Sequence, residues 1–242
     1  RRRRRPLAAR GGWWVSEERF VHAWLLKLDP QWRRQPAGER RADVDAFCTA
    51  AARSQQRLLQ HSYSTIGMRA EGDLLLWRMA STLEEVEESA ADLVRSGIGR
   101  WLTPSLSLIG LTRPSQYVKR PTAQEQSLFE GARSRYLVVY PFVKSTEWYL
   151  TPADERQKVM AAHMKVGHRY RQVRQLLAYS FGLDDQEFIV AYETDDLVAF
   201  QDLVRELRET ESRRATVRDT PIVVGIHRPL GEILAMLGGT DT

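Results

Sequence analysis

The strongest constraint on this chain is that it repeats itself. Strand candidates begin near Asp73 and near Gln186, 113 residues later, and the helices that follow them begin near Thr82 and Asp195, again 113 residues apart. Short echoes accompany the spacing: Tyr63-Ser64 returns as Tyr179-Ser180, and Leu108-Ile109-Gly110 as Val223-Val224-Gly225. In the first copy the pattern predicts a strand at His22–Leu28 and a helix over Gly38–Gln56 with Val44, Phe47 and Ala51 near one face. Strands at Leu58–Met68 and Asp73–Met79 follow, then a helix from Ser81 or Thr82 to Ser96, and a strand at Leu106–Thr112. The second copy reads as a strand at Arg135–Val143, a helix over Thr151–Tyr170, strands at Val173–Ser180 and Glu187–Tyr192, a helix over Asp195–Arg213 and a strand at Ile222–Ile226. Each copy is therefore β-α-β-β-α-β.

The expected fold class is α+β: two ferredoxin-like units in tandem, their sheets packed together with the helices outside. Runs such as Leu74–Trp77 and Phe188–Ala191 are apolar on both sides and need cover on both faces. The expected division is a basic tail at 1–20, unit 1 at 21–113, a connector at 114–134 and unit 2 at 135–242.

Charge and cysteine content narrow the function. Six arginines lie in residues 1–10; without them, 30 of the 36 basic residues remain against 31 acidic ones. The basic character belongs to the tail, so a nucleic-acid partner is not expected. No apolar segment follows the arginine run, so it does not read as a secretory signal, and a cytoplasmic protein is expected. No run of 18 apolar residues occurs, so stable membrane insertion is not expected. The one cysteine, Cys48, excludes an intramolecular disulfide framework, a thiolate metal cage, an iron–sulfur cluster and c-type haem attachment.

The second copy carries the residues that could do chemistry. Val159, His163, Val166 and Tyr170 share one helix face, which places His163 on the apolar stripe. An imidazole there is either a hydrogen-bonded core group or a ligand to something apolar. No HExxH motif or carboxylate–histidine cluster supports non-haem metal catalysis. Tyr140 and Lys144 alternate onto one strand face with Phe142 between them.

Three segments occur in order: Tyr140-Pro-Phe-Val-Lys144-x-x-x-Trp148-Tyr149, then Glu155-Arg156-x-x-x-Met160-x-x-His163-x-x-x-Gly167, then Gly182-Leu-Asp-Asp185 before an apolar strand. Together they resemble the chlorite dismutase superfamily, and within it the coproheme decarboxylases most closely, over about residues 136–225. The resemblance implies two ferredoxin-like halves, an iron-porphyrin site in the second half, and a homopentamer. It places His163 as the axial ligand of the iron and Glu211 as the acid that hydrogen-bonds its other nitrogen. Tyr140 is the reactive phenol, with Lys144 as its catalytic partner, able to hold a carboxylate or move a proton. Arg208 clamps a porphyrin carboxylate, and Trp148 packs beside the ligand, although simple core packing accounts for Trp148 equally well. At the distal position the count gives Gln175, as in the decarboxylases, whereas the dismutases carry an arginine. Arg174 is adjacent but points to the other strand face. The implied activity is the peroxide-dependent conversion of iron-coproporphyrin III (coproheme) to haem b, with coproheme as both substrate and redox centre. The alternatives are a chlorite dismutase, a haem carrier or sensor without turnover, and a cofactor-free ferredoxin-like monooxygenase.

Overall fold

The computed structural model describes residues 18–113 and 132–239. The expected arginine tail and most of the expected connector fall outside them. The chain divides into two compact units: unit 1 runs to Ile109 and includes Gly225–Thr242, and unit 2 is Gly110–Val224.

Unit 1 holds β1 (Phe20–Leu28), α1 (Ala37–Ser54), β2 (Leu59–Ser64), β3 (Leu74–Ala80), α2 (Leu83–Arg95) and β4 (Leu102–Leu111), whose last residues count with unit 2. Its strand order is β4-β1-β3-β2, the order of a ferredoxin-like sheet, with β3 antiparallel to both neighbours. A capping box starts α2: Thr82 Oγ1 accepts from Glu85 N–H, and Glu85 Oε2 accepts from Ser81 N–H. On the sheet face that meets α1, Trp24, Leu26 and Leu28 of β1 join Leu74 and Leu76 of β3 in one core. Alpha helix α1 contributes Val44, Phe47, Ala50 and Ala51, all buried. Ile233, Leu234 and Leu237 complete this core. They come from α6 (Leu230–Leu234) and the turn after it, so residues 225–239 belong to unit 1 and not to unit 2 as expected. The turn Gly97–Trp101 passes so close to α1 that a Cβ on Gly97 would lie 1.9 Å from the Asp43 carbonyl oxygen; Gly97 also has φ +50°. Only glycine fits there.

Further along the same face, Arg78 is fully buried and opposes His22 across the β1–β3 pair. A guanidinium only donates, so the hydrogen bond from Arg78 Nη2 makes His22 Nδ1 an acceptor, and His22 Nε2–H then donates to Ser107 Oγ at 2.8 Å. Arg78 Nη1 donates to Ser89 Oγ at 3.1 Å.

Unit 2 holds β5 (Tyr136–Lys144), α3 (Thr146–Leu150), α4 (Ala153–Gly167), β6 (Arg174–Tyr179), β7 (Phe188–Thr194), α5 (Leu197–Arg208), β8 (Thr216–Arg218) and the start of β9 (Val223–His227). The order β9-β5-β7-β6 repeats that of unit 1. The short β8 lies antiparallel to the end of β5, and the register shifts at Val143/Lys144. The last predicted helix is shorter than expected. It ends at Arg208, and a 3-10 turn, Glu211–Ala215, carries the chain into β8.

The two units differ in how they fill their helix-facing sheet surface. In unit 1 that surface is sealed: Trp24, opposite Leu76, is 5% exposed. In unit 2 the matching position is Tyr140, opposite Val190, and it is only half-buried. Alpha helix α1 buries five residues, whereas α4 buries none and α5 buries only Leu203. Apolar side chains that face each other across a sheet–helix layer yet stay half-exposed leave a slot for an apolar ligand.

Candidate active site

Strand register defines one wall of the slot. Tyr140 opposes Val190, which opposes Leu177; Phe142 opposes Phe188, which opposes Tyr179; and Val138 opposes Tyr192, which opposes Gln175. Side chains alternate along a strand, so these nine residues share one sheet face. Val138, Tyr140, Phe142, Leu177, Val190 and Tyr192 pack with Val166 and Tyr170 of the α4 side and Phe200, Leu203 and Leu207 of α5, which identifies this face as the helix-facing one.

His163 stands on α4, half-buried, on the predicted apolar stripe. Its Nδ1 is held by Ser212 Oγ at 2.9 Å and Thr210 Oγ1 at 3.4 Å. Its Nε2 has no hydrogen-bond partner among the described residues. Burial, with the Lys144 ammonium nearby, lowers its pKa to about 4, so the ring is neutral at ordinary pH. If Nδ1–H donates to the serine oxygen, the Nε2 lone pair is free to bind a metal from the helix side of an apolar slot. These are the donor and the surroundings an iron-porphyrin requires of an axial ligand.

Glu211 does not take the place expected of it. It is exposed, and the hydroxyl of its neighbour, the buried Ser212, meets His163 instead. The cause is the early end of α5. In the 3-10 turn, Thr210 and Ser212 face His163, and Thr210 Oγ1 donates to the Leu207 carbonyl. The polar Thr-Glu-Ser run at 210–212 is the sequence signal for this break.

Lys144 also differs from expectation. Its ammonium donates to the Ser212 carbonyl at 2.9 Å and lies 4.6 Å from the centre of the Trp148 ring. It is nearly fully buried; that burial and the charge of Arg213 lower its pKa to about 8, with Glu187 acting in the opposite sense. Lys144 therefore anchors the turn that holds His163, and Trp148, itself buried, packs against the lysine.

Tyr140 lies on the slot wall, its ring centre 6.3 Å from that of Tyr192. Burial first, and Tyr192 next, push its pKa well above the usual phenol value; Asp219 adds to the rise and Arg208 opposes it. Arg208 is exposed at the last turn of α5 and reaches Asp219 Oδ2 at 3.5 Å. Gln175 is half-buried on the slot face, and its amide makes no hydrogen bond among the described residues. Arg174 is on the opposite face, where it donates to Glu193 Oε2 at 2.7 Å and Ser134 Oγ at 2.9 Å. Glu193 is fully buried, and Arg133 stands 3.6 Å from the same oxygen. Sequence reasoning missed Ser212, Thr210, Tyr192 and Asp219, each of which meets the site through a non-local contact.

The chlorite dismutase family profile matches residues 40–228, most of the chain, and the chain belongs to that family. Among curated proteins it is 33% identical, over 205 residues, to a coproheme decarboxylase from Mycolicibacterium smegmatis, spanning 83% of this chain and 87% of the relative. Among solved structures it superposes on a mutant chlorite dismutase from Candidatus Nitrospira defluvii with a TM-score of 0.83 at 27% identity, covering 90% of this chain and 95% of the other. The complex of that organism's chlorite dismutase with imidazole gives a TM-score of 0.82 at 27% identity, with 90% and 94% covered.

Proposed function

We propose that this chain is an enzyme of haem synthesis that decarboxylates iron-coproporphyrin III to haem b with hydrogen peroxide. The observation that carries the reading is the incompletely buried apolar layer between the sheet and helices of unit 2, with His163, its Nδ1 held by Ser212, on α4 and Tyr140 on the sheet face. The similarity to a coproheme decarboxylase supports the same substrate class.

Per side chain, a propionate, one hydrogen peroxide and one proton become a vinyl group, carbon dioxide and two waters. When bound, the iron supplies the redox chemistry that activates peroxide. The chain's own residues do the rest. His163 holds the metal, and Ser212 and Thr210 fix the plane and tautomer of its ring. Lys144 acts through them as a positioning residue. Tyr140 stays a neutral phenol at working pH, because burial disfavours the phenolate, so it carries a hydrogen atom to give up and take back beside the propionate. Arg208 provides a planar fork for a carboxylate at the mouth.

Gln175 favours decarboxylation over chlorite dismutation. An amide facing the slot brings no positive charge to steer an anion such as chlorite. Arg174 would have to leave a buried carboxylate to take its place, at a cost of about 2–3 kcal/mol given that its own side chain is partly exposed. We further propose a cytoplasmic homopentamer, which light scattering of the purified protein tests.

The decisive assay mixes the protein with ferric coproheme, titrates hydrogen peroxide and follows products by mass. Wild type is expected to lose two carboxyl groups in steps, and Tyr140→Phe to lose none. Intact coproheme with rapid breakdown of added chlorite would overturn the reading.

A further inference from the structure

Three charged residues in one short stretch of unit 2 form a group that the reaction above does not use in full. Arg213 Nη1 lies 2.5 Å from Asp219 Oδ2, and Arg208 Nη2 lies 3.5 Å from the same oxygen. One carboxylate oxygen is thus shared by two guanidiniums, and the trio keeps one net positive charge. Both arginines are well hydrated, with side chains 50% and 38% exposed, while Asp219 is 19% exposed.

The backbone places the trio at the slot. Beta strand β8 pairs with the end of β5, with Arg218 opposite Val143, so Asp219 follows at the level of the strand that carries Phe142 and Tyr140. Arg208 closes α5 directly after Leu207, a residue of the slot's apolar cluster. The groups also sense one another: Tyr140 responds to both Asp219 and Arg208, and Lys144 to Arg213.

A guanidinium binds a carboxylate through two parallel N–H donors. Here one nitrogen from each of two guanidiniums reaches the same oxygen of a carboxylate that the chain itself supplies. We propose that Asp219 is a built-in competitor for the substrate: it occupies an arginine pair, Arg208 and Arg213, that a porphyrin carboxylate takes on binding. Arg213 is then the second half of the clamp. The proposal rests on the porphyrin reading above and deepens it, because it makes affinity depend on the number of carboxylates. A tetracarboxylate porphyrin displaces Asp219 and holds both arginines. A dicarboxylate product has fewer carboxylates with which to do so, and Asp219 returns as it leaves.

Metal-free porphyrins separate this from iron ligation. Wild type, Asp219→Asn and Arg213→Gln are titrated with metal-free coproporphyrin III, which has four carboxylates, and metal-free protoporphyrin IX, which has two, and binding is read by tryptophan fluorescence quenching. Asp219→Asn, which keeps shape and removes charge, is expected to bind coproporphyrin about tenfold more tightly, with a smaller gain for protoporphyrin. Arg213→Gln is expected to weaken coproporphyrin binding more than protoporphyrin binding. Asp219→Ala serves as a second charge-removing variant, and circular dichroism confirms that each variant is folded. Unchanged or weakened coproporphyrin binding by both folded Asp219 variants would overturn the inference alone, since it would make Asp219 a mere support for the arginines. Failure of wild type to bind either porphyrin would overturn the porphyrin reading and this inference with it.

Discussion

Replacing Arg174 by alanine tests the strand register on which the site depends. The substitution removes the 2.7 Å partner of Glu193, a carboxylate with no solvent exposure, and the bond to Ser134. Losing one member of a buried ion pair costs about 3–5 kcal/mol. Two features of the structure reduce that figure. Arg133 remains 3.6 Å from the same carboxylate oxygen, and the Arg174 side chain is 19% exposed and so only partly desolvated. A loss of about 2–3 kcal/mol follows. For a protein of this size, 1 kcal/mol moves the melting temperature by about 2–4 °C, so the expected drop is roughly 4–12 °C. Because Arg174 faces away from the slot, coproheme affinity and the visible spectrum of the bound iron are expected to match wild type. Gln175→Ala should do the reverse: near-normal melting, since the amide makes no hydrogen bond among the described residues, but an altered spectrum and altered binding of small anions to the iron. The assays are thermal melting by circular dichroism and visible absorption titration. Normal melting of Arg174→Ala combined with a changed iron environment would refute the register.

Two further outcomes follow from unit 1. His22 is held neutral by burial and by Arg78, with its pKa lowered to about 3. The unfolded state takes up its proton near the ordinary value of about 6.5 and the folded state does not. Its contribution to stability is therefore fully present above pH 6.5 and is lost progressively as the pH falls towards 3. The ligand-free protein should melt at lower temperature as pH falls through this window, and His22→Asn should flatten that dependence; an unchanged slope in the variant counts against the buried His22–Arg78 pair as its source. Gly97→Ala forces a Cβ to within 1.9 Å of a backbone carbonyl at positive φ, with no flexible side chain to give way. It should cost more than about 2 kcal/mol, and a denaturation midpoint equal to wild type would contradict the close approach of this turn to α1.

Much of the fold is legible in the sequence because its signals are local. The cap at Thr82 and the apolar runs of β3 and β7 each act within a few residues. Which of Arg174 and Gln175 lies on the helix-facing side of the sheet is also readable, since Val173, Leu177 and Tyr179 alternate onto the same face as Gln175. The partner of His163 was not readable. The run Glu206–Arg214 is charged enough to continue as an exposed helix, and nothing local marks Arg208 as its end before the Thr-Glu-Ser break. One extra half-turn of helix would have left Ser212 elsewhere; the 3-10 turn instead aims two hydroxyls at the imidazole. The role of Lys144 as an anchor of the turn after α5 is not readable either, because its burial depends on Trp148 and Ser212, which lie 4 and 68 residues away. The docking of Ile233, Leu234 and Leu237 onto α1 spans nearly the whole chain, and no periodicity within unit 2 reports it.

The proposed function requires the free nitrogen of His163 to bind the iron of a porphyrin seated in unit 2. Resonance Raman of the ferrous coproheme complex tests it directly. Wild type should show an iron–histidine stretching band, His163→Gly should lack it, and added imidazole should restore an iron–imidazole band in the variant. A band that persists unchanged in His163→Gly without imidazole would show that another residue holds the metal, and would contradict iron binding by His163.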